Sequence, residues 1–205
     1  MKTATHSLDS KFAGLTLLLA PVLLLISTFF WEGKEYGVTG GTILVIALVF
    51  WIPALCVLYY LLRDKMPYLS RIGIVVSIYS CVGGINFGFV GVYSFIFSIS
   101  HQTYLEGFSH YPVASNLLLF WPGPLFVINL FFLAISLIRT RTIPIWTGIV
   151  LCVGTLTFPV SRILRIELLA HFSDILMAIP LLYLGWAFSK TSIFNPPKSN
   201  LSPSV

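Results

Sequence analysis

The feature that most constrains this chain is a series of continuous apolar runs, each about twenty residues long, separated by short polar stretches. The bilayer core holds no water. Every backbone amide that enters it needs an internal partner, which only helices and closed barrels provide. A barrel would be written in alternating segments of about ten residues, and these runs do not alternate. Charged residues make up only 9% of the 205-residue chain, against roughly 25% in an average soluble protein. So few charges cannot cover a surface that faces water. The reading is an all-α integral membrane protein: a six-transmembrane-helix bundle that forms a single domain over residues 1–188.

The six helices are expected at about 12–30, 41–62, 72–99, 116–138, 143–164 and 167–188. The third exceeds what a bilayer needs and should tilt. Pro53 marks a kink in the second, Pro122-Gly123-Pro124 interrupts the fourth, and Pro144 suits the first turn of the fifth. Lys2 and Lys11 precede the first run as they would in a signal peptide. That run is too long for an ordinary signal core and no A-x-A cleavage site follows it, so it reads as a retained helix. Residues 189–205 are polar and rich in Pro and Ser, as in a disordered tail.

Lys and Arg placement sets the expected orientation. Lys2, Lys11, Arg63, Lys65, Arg71, Arg139, Arg141, Lys190 and Lys198 fall on one side; Lys34, Arg162 and Arg165 fall on the other. Both termini are therefore expected in the cytoplasm (N-in/C-in), with the protein in a cell membrane, the inner one in a bacterial cell. The net charge of +5 follows these loops beside anionic lipid. No basic stripe with interleaved aromatics points to nucleic acid. Cys56, Cys81 and Cys152 all lie within apolar runs and read as packing residues rather than a disulfide framework.

Polar residues gather at the outer ends of the third, fifth and sixth helices. Glu167, His171 and Asp174 fall within about 60° of one another on a helical wheel. Asp174 lies about 10 Å further along the axis than Glu167, at a depth where ionisable groups are costly and usually functional. A histidine flanked by carboxylates suits acid–base work or a metal; the plainer reading is the watery end of a helix. Arg162 and Arg165 break the charge rule and call for partners, with Glu167, Asp174 and Glu106 available. A guanidinium pair suits a phosphate or carboxylate, and a structural ion pair is the plainer reading.

His101 and His110 sit in the outer loop with Glu106 between them. With His171 they are candidate metal ligands, or His101 and His171 a haem pair, if the fold gathers them. The alternative is solvated loop histidines. Ser77, Cys81, Gly84, Gly88 and Gly91 form a small-residue stripe on the third helix, fit for packing within the chain or for a homo-oligomer through the Gly84/Gly88 face. Asn86 and Asn129 either bond between helices or line a polar path. No internal repeat is obvious; two inverted halves of three helices are conceivable but find little support, because the Gly-rich third helix has no clear match in the sixth. No GxSxG elbow, P-loop, dinucleotide fingerprint or HExxH occurs.

Three functional expectations follow. The first is a non-catalytic binding or accessory protein with an outward-facing polar site for membrane lipid or a small hydrophobic or anionic ligand. The second is a membrane-embedded enzyme or redox protein built on His171, Glu167 and Asp174, with a metal or haem. The third is a small transporter or channel gated near Pro53 and Pro122–Pro124.

Overall fold

A computed structural model describes residues 2–32 and 35–190. In chain order its elements are α1 (Lys2–Thr28), a hairpin of β1 (Trp31–Glu32) and β2 (Glu35–Tyr36), α2 (Val38–Tyr60), α3 (Pro67–Ile96), α4 (His101–Ser109), α5 (Pro112–Ser115), a π-helical turn (Asn116–Phe120), α6 (Pro122–Arg139), α7 (Ile145–Leu164) and α8 (Glu167–Lys190). Among the described residues, six helical segments are long and apolar enough to cross a membrane: Ser10–Thr28, α2, α3, the run Pro112–Arg139, α7 and α8. The fold is all-α apart from the small hairpin.

Several boundaries differ from expectation. The first helix starts at Lys2 rather than near residue 12, because the polar N-terminal stretch continues the helix. The third begins at Pro67, whose fixed φ suits a first turn, and ends at Ile96. α8 extends to Lys190, so the expected tail loses its first two residues to helix; residues 191–205 lie outside the described residues. The helix runs unbroken through Pro53. The outer loop is not irregular, as it carries α4 and α5. Ser100 caps α4, its hydroxyl accepting from the Thr103 N–H at 3.2 Å.

Sequence neighbours pack side by side, α3 against α6 across the intervening short helices, and α1 packs on α8 to close the set into a ring. That closure depends on glycine. A Cβ on Gly14 would come within 2.8 Å of the Gly185 carbonyl, and one on Gly185 within 2.9 Å of the Gly14 carbonyl. Without side chains there, the two backbones approach closely. The Gly84/Gly88 face is likewise turned to α2: Gly88 meets Val45 and the Gly41 carbonyl, and Gly84 meets Leu48. The small-residue stripe packs within the chain, which covers the face expected for an oligomer.

The centre is filled by Trp51, Tyr59, Leu130, Leu133, Leu137 and Leu181, all essentially inaccessible. Outward faces keep large apolar side chains exposed, among them Val75, Phe132, Ile163 and Leu168. Apolar exposure on this scale calls for lipid or a partner as cover. Asn129 bonds between helices. Its amide donates to Ser77 Oγ at 2.7 Å, and its carbonyl oxygen accepts from the Tyr59 hydroxyl at 2.6 Å.

The prolines of α6 shape one wall. Pro122 has no N–H, so the Leu118 carbonyl four residues earlier lacks its helical donor. Trp121 N–H reaches back five residues to the Asn116 carbonyl at 2.9 Å, which frees the Leu117 carbonyl as well. Two α3 side chains fill these vacancies. The Tyr79 hydroxyl donates to the Leu117 carbonyl, and the Asn86 amide to the Leu118 carbonyl at 3.4 Å.

Candidate functional site

Between α2, α3, α6 and α7 lies a cavity of about 340 Å³. Most of its wall is apolar, with Leu44, Leu48, Phe87, Phe126 and Phe158 prominent. Gly83, Gly84, Gly91 and Gly123 contribute bare backbone to the lining. Its polar end is formed by Glu35, Tyr104, Arg162 and Arg165, beside the ring of Trp31. The volume falls within the usual range for ligand pockets, about 300–1,000 Å³.

Arg162 dominates that end. One of its terminal nitrogens, Nη2, donates to both carboxylate oxygens of Asp174 at 2.9 Å and to Thr28 Oγ1 at 3.1 Å. The Thr28 hydroxyl in turn donates to Asp174 Oδ2 at 2.7 Å. The Asp174 side chain is fully buried, and Arg162 is 16% exposed. This triad ties α1, α7 and α8 together. Its guanidinium packs against the rings of Trp31 and Phe158, at 4.9 and 4.7 Å from their centroids. Arg162 Nε and Nη1 are buried and, among the described residues, have no hydrogen-bond partner. Donors left this way are costly and seek an acceptor.

Arg165 takes a different partner. It ends α7 in the left-handed conformation (φ 52°, ψ 40°) and donates to Glu35 Oε1 at 2.7 Å. His101 Nδ1 lies 3.1 Å from the same oxygen and also contacts the Tyr104 hydroxyl. The hairpin holding Glu35 is thereby clamped between α4 and the end of α7. Burial, then the nearby Glu35 carboxylate, pushes the Tyr104 phenol above its ordinary value, so it stays protonated.

The sequence-derived candidates separate into groups. Arg162 and Asp174 meet at the cavity end, with Asp174 acting through Arg162 rather than lining the cavity. Arg165 also lines it. Glu167 is largely exposed, 3.8 Å from His171 Nε2, and the His171 ring packs on Phe29 with centroids 4.1 Å apart. Neither Glu167 nor His171 is among the lining residues. Glu106 pairs with Gln102 at 3.2 Å, not with either arginine.

The proposed metal and haem groupings need correction. Among the described residues no three His, Cys, Asp or Glu side chains gather as a metal would require. His101 is turned to Glu35 and Tyr104, His110 is exposed, and His171 is packed on Phe29 just after α1, so the three do not converge. Neither His101 nor His171 lines the cavity, as a bis-histidine haem would need. The polar-path expectation for Asn86 and Asn129 also changes, since both make helix-to-helix bonds and neither lines the cavity.

Glu35, Thr28, Tyr104, Trp31 and Phe158 were not singled out from sequence. For Glu35 a signal existed. It lies in the loop expected on the same side as Arg165, in a chain with only seven acidic residues. Thr28 and Phe158 carry no such mark, because each sits in an apolar run. No protein-family model, curated protein or solved structure matches this chain.

Proposed function

We propose that this chain is an integral membrane binding protein whose ligand places an apolar body in the cavity and an acceptor oxygen at Arg162. The observation that carries this reading is the pair of buried, unpartnered donors, Nε and Nη1, on an arginine at the end of a mostly apolar cavity. Apolar pockets with a few convergent polar groups are the usual form of a small-molecule site. Binding is favoured over chemistry because the charged groups at the site are already engaged in ion pairs. The positive-inside pattern puts the termini and the basic loops in the cytoplasm and the site near the opposite face. Lys65 supports a shared end for those basic loops, since its ammonium donates to the Thr140 carbonyl and links the α2–α3 and α6–α7 connections.

The test uses Gly123. It lines the cavity, and a Cβ built on it meets nothing within 4 Å. Gly123→Phe should fill the cavity while leaving the fold intact. Purified protein examined by native mass spectrometry is expected to carry a co-purifying amphiphile that the variant lacks, with unchanged thermal stability. Equal ligand content in both proteins would count against the reading.

A further inference from the structure

The reading of the cavity as a binding site leaves the chemistry of the ligand's head open, and charge decides it. Two positive side chains stand at the polar end, Arg162 and Arg165. Two negative ones answer them, Asp174 and Glu35, at 2.9 and 2.7 Å. The tighter-held member is Asp174, which is fully buried and bonded to both Thr28 and Arg162. An incoming anion would add a third negative charge to an end where two arginines already face two carboxylates, and beside the buried Arg162–Asp174 pair that charge would lack a cation of its own. A dianion such as a phosphate monoester would fare worse. What remains unsatisfied is not charge but hydrogen bonding: Arg162 Nε and Nη1 lack acceptors. Tyr104 adds a neutral phenol to the same end.

We infer that, resting on the binding reading above, the site takes a neutral amphiphile: an apolar body whose head bears a hydroxyl or carbonyl oxygen, and not an anionic lipid or a free anion. The apolar wall accepts the body, and the oxygen accepts from Arg162 without disturbing the Arg162–Asp174–Thr28 triad. The Trp31 and Phe158 rings lie against the guanidinium and give the head an apolar surround.

The experiment compares four probes that share one chain: decanol, decane, decanoate and decyl phosphate, bound to the full-length protein in detergent and read by native mass spectrometry. Decanol is expected to bind, with ionised decanoate weaker by at least about tenfold, or roughly 1.4 kcal/mol, and decyl phosphate weaker still. Tighter binding of either anion would overturn the neutral-head assignment while leaving the cavity reading in place. Binding of none of the four would overturn both. A second variant tests the role of Arg162 without stranding its partner. Arg162→Met combined with Asp174→Asn removes both charges together and keeps an acceptor for Thr28. In that protein the preference for decanol over decane is expected to disappear. A preference that survives there, or decane binding as tightly as decanol in the unaltered protein, would overturn the assignment of the head to Arg162.

Discussion

Asp174 and Arg162 show how strongly a buried pair depends on both its members. Asp174→Ala leaves a mostly buried guanidinium with Thr28 as its remaining hydrogen-bond partner among the described residues, and the expected cost is about 3–5 kcal/mol. Replacing both, as Arg162→Met with Asp174→Leu, removes the charges together and should restore most of that loss. Thermal unfolding in detergent would read both variants. If the double change is as harmful as the single one, the triad matters for more than charge compensation. Asn129 makes a smaller contribution. Asn129→Ala leaves the Tyr59 hydroxyl only the backbone carbonyl of residue 129, now at 3.2 Å, and costs Ser77 Oγ its donor, and interhelical hydrogen bonds in membrane proteins average only about 0.6 kcal/mol. A loss of about 1 kcal/mol is therefore expected in the same assay.

At the scale of elements, the wall between α3 and α6 is the most unusual part of the fold. Pro122 removes one donor and the π-helical turn frees a second carbonyl, and α3 supplies Tyr79 and Asn86 to both. Tyr79→Phe should leave the Leu117 carbonyl unpaired and loosen the turn. Faster amide hydrogen exchange across residues 116–121, with little change in α1 or α8, is the expected outcome; unchanged exchange would mean that the turn is held by packing alone. The close approach of these helices also rests on Gly83. A Cβ there would meet the Pro122 ring at 2.1 Å, and a proline ring has little room to yield. Gly83→Ala should cost about 1–3 kcal/mol through overpacking, measurable as a lower unfolding temperature.

For the whole molecule, the ring of helices brings the start of α1 beside the end of α8, so the chain begins and ends its bundle at one face. Joined to the charge rule, this predicts that a cysteine placed at Ser109 is labelled only from outside the cell, and one at Asp64 only from inside. Both belong in a background lacking Cys56, Cys81 and Cys152. Reversed labelling would invert the orientation and put the cavity end on the cytoplasmic side.

The sequence by itself determined the all-α class and the six apolar segments, because hydrophobic length and backbone satisfaction in lipid are properties of a run of residues and need no tertiary information. It also marked Arg162 and Asp174 as unusual, since a charge in an apolar run stands out without a structure. Only the tertiary structure decided who meets whom. Arg165 pairs with Glu35, 130 residues away in sequence, and Thr28 with Asp174, 146 away. No local pattern encodes contacts at such separations. The same holds for the histidines: their shared side of the bundle was legible, but their failure to converge depends on the rotation of α8 and the course of α4. The cavity is the clearest case. Its wall is largely ordinary apolar sequence and four glycines, and it exists only because helices distant along the chain enclose a space that none of their side chains fills.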